Sequence, residues 1–182
     1  MNVKGFFQGK KNRKKQSSTR KLQIISKTAP FQYVEAYKTL RTNLNFMAVS
    51  NQYQKIVVTS SIPGEGKSNV AINLCVSLAE TGKKVLLIDC DLRKPVLHKY
   101  LRITRRAQGL TNLLSGEAAP ADVVVRFSDL HFDVITAGIV PPNPAELLGS
   151  ARMGEILQIL GAQYDYIIMD TPPASVVTDA AV

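Results

Sequence analysis

The stretch KIVVTSSIPGEGKSNVAINLCVSLAETG, residues 55–82, joins a β-branched run, a glycine-rich turn and an apolar pattern of helical spacing. The run at 55–60 predicts a buried strand. Apolar residues from Ala71 to Ala79 recur at three- and four-residue steps, which predicts a helix that stops at Gly82. Glycines in such a turn let the backbone approach a ligand, and N–H groups at a helix start point at anionic oxygens. The stretch therefore predicts a phosphate-binding loop.

Within this loop, SIPGEGKS ends as such loops do, but Ser61 stands where the first glycine usually lies. The Lys67 ammonium can reach the β and γ phosphates of a nucleotide, and the Ser68 hydroxyl can hold Mg²⁺. We expect a small residue to suffice at position 61. A structural turn that only resembles the loop is the alternative, and the flanking strand and helix argue against it.

Acidic residues follow two further predicted strands. KVLLIDCD (84–91) ends on Asp89 and Asp91, and YDYIIMD (164–170) ends on Asp170. Alternation along a strand places Asp89 and Asp91 on one side of the sheet. A metal-bound nucleotide needs carboxylates at the ends of neighbouring strands, so all three acids are candidate metal ligands. Paired acids can also divide the work, one accepting a proton, and the sequence leaves open which of the two does so.

Strands and helices alternate along the rest of the chain. Beyond those above, helices are predicted at 31–50, 95–101, 110–115 and 141–160, and a strand at 132–138. Asn143 is expected to cap the helix at 141–160, with Pro144 at its first position and Glu146 as a capping-box acid. The alternation predicts an α/β fold, a mostly parallel sheet between two helical layers. The stretch 171–182 closes the chain, and Val182 falls in what looks like the start of another helix, so we expect the chain to be C-terminally truncated.

The positive charge is concentrated at one end. Nine of the 23 Lys and Arg residues lie in residues 1–30, which contain no acid, so 14 basic residues face 14 acidic ones in residues 31–182. We predict a disordered basic tail over 1–30 and a folded domain over 31–182. A solvated arm and attraction to anionic lipid both fit this tail. Nucleic acid is disfavoured because no base-reading element follows, and no partner of that kind is expected.

Two features concern location. No apolar run approaches the roughly 20 residues that span a bilayer, and no secretory signal is evident. The two cysteines form no disulfide framework, which favours a reducing cytoplasm.

Three motifs in order, SSIPGEGKSN, VLLIDCDLR and YIIMDTPP, resemble those of the bacterial tyrosine kinases of capsule and exopolysaccharide synthesis. The resemblance spans about residues 30–182 and includes Arg93 in the second motif. It implies a P-loop kinase that uses ATP and Mg²⁺, autophosphorylates on tyrosine, and stabilises the transferring phosphoryl group through Lys67. Asp89 or Asp91 would accept the tyrosine proton, and Asp170 would hold the metal. The residues implied in nucleotide binding are Pro63, Gly64, Glu65, Gly66, Lys67, Ser68, Asn69 and Arg93.

The resemblance also implies partners. In Gram-positive members the kinase is a separate cytoplasmic chain, peripheral at the inner face of the plasma membrane and activated by a membrane-anchored chain-length regulator. A cognate tyrosine phosphatase and assembly into a homo-oligomeric ring belong to the same expectation. The family carries a Glu, Arg, Arg trio on a ring-forming helix; here Glu35 and Arg41 match and Lys38 replaces the first arginine. Lysine lacks the bidentate fork, and a solvated charged face is the alternative for this trio.

Two other functions remain alternatives. A partition or cell-division ATPase would share the fold, but such proteins carry a second lysine near the start of the loop, where this chain has Ile62. A non-catalytic nucleotide-gated regulator of polysaccharide export would not need the intact Lys67, Ser68 and three aspartates. The sequence therefore favours the kinase.

Overall fold

The computed structural model describes residues 23–26, 28–48, 54–103 and 108–174. Its strands are β1 (Gln54–Val58), β2 (Val85–Asp89), β3 (Val124–Phe127), β4 (Phe132–Ile135) and β5 (Tyr166–Asp170). They form one sheet in the order β1-β5-β2-β4-β3. All neighbouring strands are parallel except β3, which runs antiparallel to β4.

Helices cover both faces of this sheet. They are α1 (Phe31–Ala48), α2 (Lys67–Ala79), α3 (Leu97–Tyr100), α4 (Leu110–Ser115), α5 (Pro120–Val123), α6 (Pro144–Leu148) and α7 (Ala151–Gly161). One hydrophobic core lies between the sheet and α1 and α2, and a second lies between the sheet and α4 and α7. The predicted three-layer α/β fold with a mostly parallel sheet is confirmed.

The two central strands place the predicted acids side by side. All five residues of β2 and all five of β5 are buried, including the acid at the end of each, because helices cover both faces of the parallel sheet. In their register Asp89 pairs with Asp170, so the carboxyl ends of the two strands are level. On the other side of β5, Val58 at the end of β1 pairs with Asp170. The loop after β1 therefore begins beside the acids.

The outer strands differ from expectation. We expected a buried strand at 55–60, but β1 pairs with β5 alone in the described part of the chain, and Val57 is 46% exposed. β3 was not predicted. Its four residues, Val124–Phe127, are at most half-buried and return to β4 through a 3₁₀ turn at Ser128–Leu130. A strand this short gives no clear alternation, so only its pairing with β4 reveals it.

The helix predicted over 141–160 is two helices, α6 and α7. Ser150 separates them: its hydroxyl donates to Leu147 O at 2.7 Å and accepts from Met153 N at 3.3 Å, which caps α7. Asn143 does occupy the N-cap position of α6, but its side chain makes no capping bond and instead donates to Glu146 Oε2 at 2.8 Å. The cap predicted from the Asn143 side chain is therefore wrong.

The folded domain begins before residue 31. Ile25 is 6% exposed and lies in the core beneath α1 and α2, and its N–H donates to Asn73 Oδ1 at 2.7 Å. The boundary predicted at residue 30 is wrong, because an isoleucine at the end of the basic segment finds an apolar site on α2. Residues 1–22 and the helix start expected after residue 174 lie outside the described residues. No helix in the described part is long and apolar enough to cross a membrane.

Candidate nucleotide site

The loop between β1 and α2 tolerates Ser61 for a conformational reason. Gly64 and Gly66 have φ of +84° and +99°, in the region that favours glycine, whereas Ser61 does not have a positive φ. A side chain at position 61 therefore meets no backbone strain. The substitution that distinguishes this loop from the usual pattern leaves its shape intact.

Side chains brace the loop from within. The Ser60 hydroxyl donates to Ile62 O at 3.0 Å, and Glu65 Oε2 accepts from the N–H groups of Ser61 and Ile62 at 2.8 and 3.2 Å. The Glu65 carboxylate thus turns back towards the start of the loop. Pro63 and Glu65 are exposed, whereas Ser68 in the first turn of α2 is buried.

Lys67, the first residue of α2, lies among the acids. Its Nζ is 3.3 Å from Asp91 Oδ2 and 3.9 Å from Asp170 Oδ1, and its side chain is 13% exposed. Asp91 Oδ1 also accepts from Lys94 N at 3.0 Å. The structure thus brings Lys67 together with Asp91 and Asp170 at the carboxyl edge of the sheet, a contact that was not predicted from the sequence.

Asp89 lies deepest in the cluster. It is fully buried, and its two oxygens accept from Asp91 N at 3.3 Å and from Leu97 N at 3.2 Å. Burial, and then the negative charge of Asp170, raise the pKa of Asp89 to about 8, although the Leu97 N–H lowers it. Cys90 packs in the core between the sheet and α4 and α7, and burial raises the pKa of its thiol. Cys90 is therefore a packing residue.

Asp170 is the acid with unused hydrogen-bonding capacity. Both of its carboxylate oxygens are buried and lack a hydrogen-bond donor among the described residues. Burial raises the pKa of Asp170 to about 6, while the Lys67 ammonium and then the nearby Ser68 hydroxyl lower it. Orphaned carboxylate oxygens beside the Ser68 turn fit an oxygen-seeking divalent cation. The described residues contain no group of three metal-binding side chains, so such a cation would need further oxygens from phosphate and water.

Asn69 and Arg93 are two further residues that were predicted to bind nucleotide. Asn69 Oδ1 accepts from Asn73 Nδ2 at 2.7 Å, so this oxygen faces the helix and not the loop. Arg93 is exposed, two residues beyond Asp91. Binding of nucleotide by either side chain stays a prediction.

The predicted interface trio divides in two. Lys38 donates to Glu35 at 2.8 Å on the exposed face of α1. Arg41 instead turns onto α2 of its own chain, where it donates to Ser77 O and lies 3.9 Å from Glu80 Oε2. In this structure Arg41 ties α1 to the helix that follows the phosphate loop.

Asn73 is a structural centre that the sequence analysis missed. It is fully buried in α2, where its Oδ1 accepts from Ile25 N, and the two N–H groups of its Nδ2 are shared among Gln23 O, Tyr33 Oη and two oxygens of Asn69, all at 2.7–3.0 Å. These bonds fasten the N-terminal segment and α1 to the first turns of α2. The available signal was an amide at a helix position flanked by core residues.

The pKa of Asp170 yields a prediction for the nucleotide-free chain. Between the ordinary value of 3.8 and about 6, the folded chain keeps a proton that the unfolded chain loses. The free energy of unfolding should therefore fall as pH rises through this window and stay lowered above it, by about 3 kcal/mol from this group. Asp89, with its pKa of about 8, adds a fall of its own over the same pH range. We expect Asp170→Asn to make the fall smaller, leaving the part due to Asp89, and to raise stability at pH 7 by about 1–2 kcal/mol, less than the full amount because the buried amide also lacks partners.

Urea unfolding from pH 3.5 to 8 measures this effect. Asp129→Asn, an exposed carboxylate outside the cluster, is the control and should unfold as the parent does. An Asp170→Asn variant with the parent's pH dependence would show that burial of Asp170 does not perturb its titration.

The chain has relatives of known identity. A family described as an AAA domain matches residues 53–182. The tyrosine-protein kinase YwqD of Bacillus subtilis (strain 168) is 43% identical over 171 residues, which are 93% of this chain and 72% of YwqD. The kinase domain of the Escherichia coli tyrosine kinase ETK superposes with a TM-score of 0.78 at 36% identity, covering 87% of this chain and 65% of that one.

A more distant structure shows what the fold can hold. The septum site-determining protein MinD of Pyrococcus horikoshii OT3, complexed with Mg-ADP, matches with a TM-score of 0.58 at 28% identity. The match covers 66% of this chain and 49% of that one. Identity and coverage are both higher for the kinases. With the Lys67 and aspartate cluster in place, the chain belongs to the bacterial tyrosine kinases, the P-loop protein-tyrosine kinases that its motifs resemble.

Proposed function

We propose that this chain transfers the γ-phosphoryl group of ATP to protein tyrosine residues, its own included, at the cluster formed by Lys67 and the three aspartates. The observation that supports the proposal most is the position of the Lys67 ammonium, 3.3 Å from Asp91 and 3.9 Å from Asp170. A cation at the end of a phosphate loop suits a transition state with charge spread over phosphoryl oxygens.

The loop would bind the nucleotide through its backbone. Gly64 and Gly66, both at positive φ, remove the Cβ atoms that would keep phosphate oxygens away from the N–H groups. The first N–H groups of α2 have no partner within the helix, and the helix dipole favours the same anion. Phosphate oxygens would compete with Asp91 for the Lys67 ammonium. Nucleotide binding therefore frees Asp91 Oδ2, which Lys67 otherwise occupies.

Mg²⁺ fits the residues around Asp170. Its two oxygens lack donors within the described part of the chain, and the buried Ser68 lies in the adjacent turn. Ser68 and Asp170 would hold the cation, with Asp89 or Asp91 completing the set through water. Bound there, Mg²⁺ supplies positive charge that neutralises the phosphoryl oxygens.

Asp89 and Asp91 differ in the properties that would let them accept the tyrosine proton. Asp91 is buried beside Lys67, and its Oδ2 would be released when Lys67 turns to phosphate. Asp89 has a pKa near 8, the range that suits a general base at neutral pH, but both of its oxygens are occupied by backbone N–H groups. We propose that the base is one of these two and keep both assignments.

The cellular setting is part of the proposal. We propose that the chain acts in the cytoplasm at the inner face of the plasma membrane and regulates capsule or exopolysaccharide synthesis. A membrane-anchored chain-length regulator would activate it, and a tyrosine phosphatase would reverse it. The nine basic residues of segment 1–30 support attraction to anionic lipid, worth up to about 1 kcal/mol for each residue near the surface.

Phosphotyrosine formation tests the activity. Full-length protein with the cytoplasmic segment of a candidate membrane partner is given radiolabelled ATP and Mg²⁺, and phosphotyrosine and free phosphate are followed together. We expect label on tyrosine, and a loss of at least about 100-fold in Lys67→Met, since the cation stabilises the transferring group. Lys99→Met, an exposed lysine on α3, is the matched control. Free phosphate without labelled tyrosine would identify a switch ATPase instead.

Sedimentation of variants tests whether the predicted interface residues on α1 support self-association. We propose that Lys38 and Arg41 support a homo-oligomeric ring, and Lys38 is the cleaner probe because Arg41 also braces α2 in its own chain. Lys38→Ala should lower the sedimentation coefficient at a concentration where the parent is assembled, while Arg41→Ala should lower both assembly and the melting temperature. If both variants sediment like the parent, the ring does not form through this helix.

A further inference from the structure

Glu65 makes contacts that nucleotide binding by the loop does not itself require. One oxygen of this exposed side chain, Oε2, accepts from Ser61 N at 2.8 Å and from Ile62 N at 3.2 Å, four and three residues earlier. These donors lie at the start of the loop, ahead of the N–H groups that face phosphate. Glu65 therefore closes a short ring of chain from residue 61 to residue 65.

The segment inside this ring is costly to order. Pro63 has no N–H, and Gly64 and Gly66 at positive φ are the residues that lose most freedom when ordered. Among the contacts described, the Ser60 hydroxyl on Ile62 O is the other side-chain bond within the loop. Ile62 is thus held at its N–H by Glu65 and at its carbonyl by Ser60.

We propose that Glu65 is a positioning residue that keeps the phosphate loop in its binding shape, so that its carboxylate sets the affinity for nucleotide and not the rate of transfer. The inference rests on the proposed nucleotide site and gives Glu65 a role within it. A preformed loop spares the nucleotide the cost of ordering the chain, which appears in KM and Kd.

Neutral substitutions of Glu65 distinguish a role of its hydrogen bonds from a role of its negative charge. A carboxylate near bound phosphates repels them, so if charge were its only influence, every neutral substitution would tighten nucleotide binding. If the two hydrogen bonds matter, the outcome depends on which neutral residue is introduced. Glu65→Gln keeps an acceptor oxygen, whereas Glu65→Ala removes it.

Mg-ADP affinity and kinetics of the full-length protein decide between these cases. We expect Glu65→Ala to weaken Mg-ADP binding and raise the KM for ATP by about five- to tenfold, the loss of two exposed hydrogen bonds to a carboxylate, with kcat within about twofold. Glu65→Gln should remain within about twofold of the parent in both. Hydrogen exchange of the loop peptide in the absence of nucleotide should be faster in Glu65→Ala alone.

Glu155→Ala is the matched control, since Glu155 is an exposed glutamate that pairs with Arg152 on α7. Unchanged or tighter Mg-ADP binding by Glu65→Ala would overturn the proposal, as would an equal loss in both Glu65 variants. A parent protein that binds no Mg-ADP would overturn the nucleotide site itself. A parent that binds Mg-ADP without making phosphotyrosine would refute the kinase and leave the role of Glu65 to be judged by Kd and exchange.

Discussion

The contact between the Lys67 ammonium and the carboxylates of Asp91 and Asp170 is the interaction on which this site depends. The side chains of Asp91 and Asp170 are 7% and 0% exposed, and the neighbouring Asp89 is fully buried. Burial is the main cause that raises the pKa values of Asp89 and Asp170, and repulsion from the neighbouring carboxylates adds to it, while the Lys67 ammonium lowers the pKa of Asp170. The site therefore holds closely spaced acids whose repulsion a bound divalent cation can relieve.

The rest of the architecture serves this arrangement. The register of β2 and β5 sets Asp89 level with Asp170, and α2 must begin where its first residue reaches both acids. The segment after β5 is joined to the start of the loop through bonds from Thr59 to Pro172 O and from Ala174 N to Ser60 O. On the far side of α2, Asn73 anchors the N-terminal segment. The helix that presents Lys67 is thus fixed by packing at several points and not by the loop alone.

Sequence reasoning succeeded where chemistry follows from local pattern and strand direction. The loop, the three aspartates and their convergence were predictable, because the carboxyl ends of parallel strands meet at one edge. It failed where the partner lies far along the chain: Ile25 finds its site on α2, Arg41 turns onto Ser77, and Asn73 joins segments 40 to 50 residues away. Serine is a common N-cap residue, so Ser150 could have indicated the start of α7. It was overlooked because the apolar residues keep helical spacing on both sides of it.

Proton release on binding of Mg-ADP is the most direct test of this account. With pKa values of about 8 for Asp89 and about 6 for Asp170, the nucleotide-free site should hold about one proton at pH 7, which a bound cation would expel. Titration calorimetry in buffers of different ionisation enthalpy counts this proton. The account predicts release of about one proton with Mg-ADP, and far less with ADP and a chelator or in Asp89→Asn. Equal proton counts with and without Mg²⁺ would contradict it.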